Sequence, residues 1–530
     1  MNDTGGSALP SLGRRSALFL GMVGFATAVL LSPGSPPVDT LRRLQVTHSL
    51  WTDSPPVTAK DRADNYGVIG LGGKVHAIYG IGHSLIMLPA DVLATRATAR
   101  VPAAVRDRLR VALVLLATFP LVSALILVAA AWFLVVLGFS EREAVLAAIG
   151  LQFATTLLNY TQVNQENSFL LLTALVGLGG QLRWALTGRL SAAVAGILAL
   201  GFALLVRITA AMDIAAVTGC TLFVAASVGI GRTSRGPAWR RALFAYLAAC
   251  GAIYAAFLAM DRMYHFHRFG RWLGTYQHIM GEQLRAIHPE LPPSFPFSTP
   301  LLVGVRGALF SPERSIFLFE PLLILALGLA VALWPRLSLL VRAVLATATG
   351  LLAVYVFFYA RYWAWHGASA WGDRYLTVPT QLVALLALAV LARHARDLGR
   401  PLRAAAAGLV ALAVVIQLGS VVFWYLLEES QHAHGLGTRF TVAQRAVNIA
   451  AGILGRFRTW QLVPEGSTPQ LLEPHFLVFR WRAYFPASVR PFATAAWACA
   501  AIALACVVVA KVRALCPRSS RSTSAGPLAG

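Results

Sequence analysis

The chain has 530 residues, of which 57% are hydrophobic and 13% are charged, and its mean hydropathy is +0.65. Soluble domains average about 45–50% apolar and about 25% charged residues, so this composition excludes a string of ordinary soluble domains. The formal net charge of +23 would indicate a nucleic-acid partner on a soluble chain. On a membrane chain, such an excess first indicates loops of unequal charge.

Twelve segments are candidate transmembrane helices, since a span needs about 20 mainly apolar residues. They lie at 16–32, 111–138, 143–158, 168–182, 190–206, 209–229, 242–260, 315–334, 341–359, 375–392, 403–427 and 491–510. We therefore expect an all-α fold, a polytopic transmembrane helix bundle of about 12 spans. We interpret the first segment as a retained helix, with a cleaved signal peptide as the alternative. A weaker run at 77–94 contains Pro89 and Asp91 and is predicted to be interfacial or re-entrant.

The arginines indicate the orientation of this bundle. With twelve spans and both termini cytoplasmic, the inner connections are rich in arginine, whereas the short outer connections hold only Arg207, Arg361 and Arg374. This is the positive-inside pattern of membrane proteins. Topology thereby explains most of the net charge, and we expect no nucleic-acid partner.

Three long outer segments are rich in aromatic and mixed charged residues and are expected to fold mainly as short interfacial helices; they lie at 33–110, 261–314 and 428–490. The chain divides into a transmembrane catalytic module at 1–427, an outer segment at 428–490, and a last span with a cytoplasmic tail at 491–530. The Ser/Gly/Arg-rich tail after Cys516 is expected to be disordered.

Asp39 stands just outside the first predicted span, within the sequence Pro36-Pro37-Val38-Asp39-Thr40-Leu41. A carboxylate at this position can take a proton from an acceptor hydroxyl presented near the membrane surface. The alternative is structural, because a Pro-Pro-Val-Asp sequence ahead of a helical pattern also suits a helix N-cap. The spacing alone leaves both interpretations open.

A glycine-rich stretch follows at 72–89. Its Gly72-Gly73-Lys74 sequence can cradle a phosphate, but it does not have the spacing of a phosphate-binding loop. A flexible entry to the interfacial helix is therefore the favoured interpretation of the residues themselves.

The stretch at 360–376 is the most distinctive, because it is a short outer connection with three Trp and two Tyr residues. Such residues suit the water–lipid interface, and this is the structural interpretation. The functional interpretation adds Arg361, His366 and Arg374, since guanidinium groups bind phosphate well.

Other polar residues are less informative. Arg207 and Asp213 flank the outer start of one span, but six residues apart they lie on different helix faces, so a direct pair is not expected. Glu320 is expected at the bilayer edge. The pairs His265/His267 and His432/His434 each lack a third metal ligand at helical spacing.

Several of these stretches together resemble the GT-C superfamily of integral-membrane glycosyltransferases, which includes the protein O-mannosyltransferases. The most specific resemblance is that of 365–376 to a Trp-x-Gly-Gly-x-Ser-Trp-Gly-x-Arg-Tyr-Leu pattern. The other matching segments are the first outer loop with its acid, 73–89, 203–207 and 309–322. Departures include Thr40 in place of a second acid, His366 and Ala368 at positions often occupied by glycine, and Glu320 in place of a small residue.

The resemblance implies an inverting sugar transfer from a polyprenyl-phosphate donor to a cell-envelope acceptor, with Asp39 as the general base. Membrane lipids are further partners, and no cofactor is required beyond a divalent metal as an open alternative. The residues implied to bind the donor phosphate are Arg374, Arg361, Arg207, Lys74 and His366. Those implied to line the substrate cavity are Tyr79, His83, Trp365, Trp371, Asp373 and Tyr375. The motifs suggest a bacterial inner membrane with both termini cytoplasmic.

Two other classes of function stay open from the sequence. One is a polytopic transporter or lipid flippase, although such proteins often show internal repeats and paired intramembrane charges that this chain lacks in its sequence. The other is a cell-envelope glycan ligase or polymerase of another fold. The glycosyltransferase hypothesis requires Asp39 and the 365–374 segment to face one cavity.

Overall fold

A computed structural model describes residues 11–57, 67–232 and 236–516. These ranges are almost entirely helical, as the composition predicts. The sequence did not predict the short antiparallel hairpin of β1 (Gly67–Ile69) and β2 (Val75–Ala77), in which Val68 lies opposite His76. The predicted disordered tail after Cys516 lies outside the described residues.

The helices follow one another with short connections. In the first half of the chain they are α1 (Arg14–Leu31), α2 (Val38–Ser49), α3 (Gly82–Thr98), α4 (Ala103–Val136), α5 (Glu141–Ala154), α6 (Leu157–Val163), α7 (Asn167–Thr187), α8 (Leu190–Val206), α9 (Ala210–Val228) and α10 (Pro237–Phe269). In the second half they are α11 (Tyr276–Ile287), α12 (Leu301–Phe310), α13 (Ile316–Phe319), α14 (Leu322–Leu333), α15 (Leu339–Tyr359), α16 (Thr377–His394), α17 (Arg400–Ser420), α18 (Leu426–Ala433), α19 (Thr441–Leu454), α20 (Leu477–Arg480) and α21 (Arg490–Leu515).

Nine helices of the described ranges are long and apolar enough to cross a membrane, namely α1, α4, α7, α9, α10, α15, α16, α17 and α21. Each overlaps a predicted span. Helices α4 and α10 have 34 and 33 residues, more than the roughly 20 that a bilayer needs, so their ends extend beyond a hydrocarbon core. These helices have the length and composition of those in an integral membrane protein.

The other three predicted spans are shorter or broken. The span predicted at 143–158 is the pair α5 and α6, bent by 61°, and α8 has only 17 apolar residues. The span predicted at 315–334 is divided into α13 and α14 at Glu320 and Pro321. The number of spans is therefore nine, or ten if the bent pair is one span, by length and composition.

The two broken spans meet at Glu320. This residue was expected at the bilayer edge, but its side chain is buried, and its Oε1 accepts hydrogen bonds from the Thr156 backbone N–H at 2.7 Å and the Thr156 hydroxyl at 2.5 Å. The break between α5 and α6 frees a backbone N–H, and an unpaired buried donor is costly. The expectation was wrong because the carboxylate caps this break.

The first connection is held by a buried carboxylate on α3. Asp91 accepts a hydrogen bond from Trp51 Nε1 at 2.9 Å, has His48 Nδ1 at 2.8 Å, and pairs with Arg110 of α4. Helix α3, within the run predicted to be interfacial or re-entrant, also packs against α8. These contacts fix α2, and with it Asp39, against the helix bundle.

Candidate functional site

A cavity of about 780 Å³ opens between α2, the segment after β2, the α8–α9 connection, α11 and the α15–α16 connection. Five charged side chains cluster along its wall: Asp39, Arg43, Glu166, Arg207 and Arg374. They come from four separate parts of the chain. The cavity is therefore assembled by the tertiary fold and not by any one local motif.

Asp39 lies in the first turn of α2, one residue after the helix begins. Its side chain makes no capping contact, and Pro37 occupies the N-cap position. Instead, Oδ1 accepts a hydrogen bond from the Tyr79 hydroxyl at 2.7 Å, and Oδ2 pairs with Arg374. The N-cap interpretation is thus wrong, because the carboxylate points away from the helix backbone and toward the cavity.

Tyr79 is positioned by the glycines that follow it. A Cβ at Gly80 would lie 2.2 Å from the Leu205 carbonyl oxygen, and one at Gly82 would lie 2.8 Å from the Leu205 carbonyl carbon. Only glycine permits this approach to the end of α8. Arg268 of α10 then donates to the carbonyl oxygens of Ala77 and Tyr79 at 2.8 and 3.0 Å. The Tyr-Gly-x-Gly sequence therefore brings Tyr79 beside the chain segment that carries Arg207.

Glu166 lies between two arginines. One carboxylate oxygen pairs with Arg43 at 2.9 Å, and the other pairs with Arg207. All three side chains are buried. Burial alone would raise the pKa of Glu166, but Arg43 and Arg207 outweigh it and hold that pKa well below its usual value. Glu166 is therefore a carboxylate across the physiological pH range.

Arg374 connects Asp39 to an aromatic wall. Its guanidinium carbon lies 5.3 Å from the centre of the Tyr375 ring, and that of Arg207 lies 5.6 Å from the same ring. Tyr375 in turn stacks on Tyr359, with ring centres 4.4 Å apart and planes 6° apart. The Arg374 Nε–H is buried without a hydrogen-bond partner. One donor of this guanidinium is thus left unused by the described protein atoms.

The charged wall carries one net positive charge, since Asp39 and Glu166 offset two of the guanidiniums of Arg43, Arg207 and Arg374. A compact anion such as a phosphate ester matches this balance. The rest of the lining is mostly apolar or aromatic and includes Ile208, Met280, Leu284, Leu291, Phe295, Phe297, Phe358 and Trp363. The cavity therefore suits a ligand with a charged head and an apolar tail.

Five residues predicted from the sequence line this cavity: Asp39, Tyr79, Arg207, Arg374 and Tyr375. Three others lie elsewhere. Arg361 and Lys74 are exposed outside the cavity lining, and Lys74 follows the Gly72-Gly73 turn that joins the two strands. His83 is fully buried, with its ring edge-on to Phe119 and Phe169, so it is a core residue.

The remaining predicted residues lie on the other side of the α15–α16 connection. Trp365, His366 and Trp371 line a second, smaller cavity, and Trp371 is buried against Phe319. Asp373 is buried next to Arg374, and its Oδ1 accepts from the Tyr375 N–H at 3.0 Å. Burial raises the pKa of Asp373 to about 7. The interfacial-belt interpretation therefore does not describe Trp371.

Sequence reasoning missed Arg43 and Glu166 as site residues. A signal for Arg43 was present, because four residues after Asp39 it shares the same face of α2. Glu166 is an isolated acid between two apolar segments, which is a weak signal. Its position between Arg43 and Arg207 depends on tertiary contacts that no local pattern encodes.

Metal binding receives no support from the described side chains. Within residues 11–57, 67–232 and 236–516, no three His, Cys, Asp or Glu residues come together as a potential metal site. This includes the pairs His265/His267 and His432/His434. Asp213, likewise, is not paired with Arg207, since its Oδ2 accepts from the Tyr355 hydroxyl at 2.9 Å. No protein-family model matches the chain, and a search of curated proteins finds no relative.

Proposed function

We propose that the protein is a membrane glycosyltransferase of the GT-C type, which moves a sugar from a polyprenyl-phosphate donor to a cell-envelope acceptor. The observation that carries the proposal is the meeting of Asp39 and Arg374, 335 positions apart, in one cavity. A carboxylate beside three arginines supplies a base and a phosphate site in the same place. The resemblance of the 365–376 segment supports the same class.

The electrostatics of the cavity support a phosphate-linked donor. A polyprenyl-phosphate sugar is a phosphodiester with one negative charge, which the net positive charge of the wall offsets. When the sugar leaves, the phosphate becomes a monoester that carries about −1.5 to −2 charges at pH 7. Arg374 and Arg207 therefore stabilise charge that develops as the bond breaks, which is a common source of catalysis.

Asp39 is the proposed general base of this reaction. It takes the proton of an acceptor hydroxyl, whose oxygen forms a bond to the anomeric carbon. The bond from that carbon to the phosphate oxygen breaks, and its electron pair leaves with polyprenyl phosphate. Attack opposite the leaving group inverts the anomeric configuration. Asp39 then returns its proton to water.

The other cavity residues position these groups in the proposal. Tyr79 orients the Asp39 carboxylate through its hydroxyl, and Glu166 keeps Arg43 and Arg207 in place. The apolar surface of Phe297, Phe358 and neighbouring residues receives the first isoprenoid units. In this account the cavity faces the outer side of a bacterial inner membrane, with both termini cytoplasmic, as the arginine distribution indicates.

A lipid flippase is the main competing function, because it too needs a positive pocket and an apolar wall. It has no need of a base beside the phosphate. The test is incubation of the purified chain in lipid nanodiscs with a panel of polyprenyl-phosphate sugars, with polyprenyl phosphate measured as product. Release in the wild-type chain supports the transferase, whereas movement of intact donor across a bilayer without release contradicts it.

A further inference from the structure

The second cavity has a volume of about 240 Å³ and lies across the α15–α16 connection from the first. Trp365, His366, Ala370 and Trp371 of that connection line the second cavity, while Ala364, Ala368 and Arg374 line the first. The opposite wall of the second cavity comes from α18 and the start of α19. The same connection therefore forms a wall of both cavities.

The polar groups of the second cavity are only partly used by the protein. Glu428 is satisfied, since Arg445 binds it at 2.5 and 2.7 Å and Asn448 at 2.7 Å. In contrast, the Trp371 side chain is 1% exposed and its indole N–H has no hydrogen-bond partner, and Glu429 Oε2 is buried without one. Buried polar atoms usually have a partner, so these two groups point to a ligand.

The chemistry of the lining favours a neutral polyhydroxyl ligand. Indole and hydroxyl donors alternate with the carboxylates of Glu313 and Glu429, and each sugar hydroxyl can both donate and accept. Trp365 and Tyr425 contribute aromatic surface. Arg314 lies in the same wall and donates to the Gly372 carbonyl oxygen, so a cationic ligand would meet a guanidinium. The volume is below the ~300–1,000 Å³ of sites for drug-sized ligands, so one small unit fits.

The second cavity is close enough to Asp39 to serve the same reaction. Tyr425 lines this cavity, and burial raises its pKa, with the Asp39 charge adding to the increase. Asp39 is therefore within electrostatic reach of the second cavity. A glycan chain held there would have its next hydroxyl directed to the first cavity.

We propose that the second cavity binds a saccharide unit of the acceptor, so that the acceptor is itself a glycan. This inference rests on the proposed function, because it names the class of acceptor. The saccharide contacts Trp371 through the indole N–H and Glu429 through the free carboxylate oxygen. A protein or simple lipid acceptor would leave these two groups without a partner.

Binding of free sugars tests the proposal without any need for turnover. Methyl glycosides of common envelope hexoses, pentoses and N-acetylhexosamines are titrated into the full chain in nanodiscs by saturation-transfer NMR. We expect at least one to bind, and Glu429→Gln and Trp371→Phe to weaken it by roughly 10-fold or more, as loss of a hydrogen bond to a charged or buried group predicts. Glu473→Gln is the matched control, since Glu473 is exposed in the same outer segment and lines neither cavity.

The outcomes separate this proposal from the proposed function. Binding that is lost in Glu429→Gln and retained in Glu473→Gln supports the saccharide site. No binding of any glycoside, equal binding in Glu429→Gln, or displacement of the sugar by tri-lysine overturns it. If the wild-type chain binds a glycoside but releases no polyprenyl phosphate from any donor, the transferase proposal and the acceptor role fail together, although the saccharide site itself stands.

Discussion

Arg374 pairs with Oδ2 of Asp39 across the cavity, while Tyr79 donates to Oδ1 of the same carboxylate. Both oxygens of the proposed base are thus occupied when the cavity holds no donor. A donor phosphate competes for Arg374, because a guanidinium binds phosphate as well as carboxylate. Under the proposed function, donor binding draws Arg374 away and frees Oδ2 for the acceptor hydroxyl.

Asp39→Asn should bind the donor at least as tightly as the wild-type chain. The change removes a negative charge that faces the phosphate and releases Arg374 from its ion pair. Equilibrium binding of polyprenyl phosphate measures this effect. The matched control is Asp53→Asn, which changes an exposed acid after α2. A marked loss of affinity in Asp39→Asn would show that Asp39 does not compete with the donor for Arg374.

Arg374→Gln should have the opposite effect on donor binding. It removes the charge that offsets the phosphate, so the dissociation constant for polyprenyl phosphate should rise. Turnover should fall by about 10²–10³-fold, as expected when one donor to a developing oxyanion is lost. Arg361→Gln is the comparison, because Arg361 is exposed outside the cavity lining. Equal effects of the two changes would contradict a specific role for Arg374.

Glu166→Gln should destabilise the fold as well as the site. Removing one partner from a buried ion pair typically costs about 3–5 kcal/mol, and here Arg43 and Arg207 would both lose their carboxylate. Because the pKa of Glu166 is held below its usual value, its stabilisation is present above about pH 4.5 and is lost only as the pH falls further. Thermal unfolding in detergent should show a lower midpoint in Glu166→Gln at pH 7. An unchanged midpoint would contradict this structural role.

Asp373 should make stability depend on pH near neutrality. Burial raises its pKa to about 7, so the folded chain holds this proton where the unfolded chain has lost it. Its contribution to the free energy of unfolding therefore decreases as the pH rises from about 4 to about 7, and is constant above that. Asp373→Asn should remove this part of the slope in thermal midpoint against pH. A slope that is identical in the variant and the wild-type chain would contradict the assignment.

The sequence predicted the helical class because apolar runs of the required length are a strong signal. It overestimated the continuous spans where Glu320 and Thr156 form a buried pair of breaks, since an isolated acid does not reveal its partner. It also placed His83 in the cavity because its neighbours Tyr79, Gly80 and Gly82 belong to one motif. The helical turn of α3 directs His83 into the core, and only packing determines that direction.

The candidate site was predicted unevenly for a similar reason. Asp39 and Arg374 stood out because each lies in a short stretch of unusual composition. The grouping of Arg43, Glu166 and Arg207 depends on contacts between α2, α7 and the α8–α9 connection. Trp371 and His366 share a loop with Arg374 but face a different cavity, because successive residues of an irregular connection point in different directions.

The most direct test of the account compares donor cleavage by the wild-type chain and Asp39→Asn. Both are purified into nanodiscs with the polyprenyl-phosphate sugar and a glycan acceptor, and released polyprenyl phosphate is measured over time. The account predicts release by the wild-type chain and a rate lower by about 10²–10⁴-fold in Asp39→Asn, as for loss of a general base. Equal rates in the two chains would contradict it.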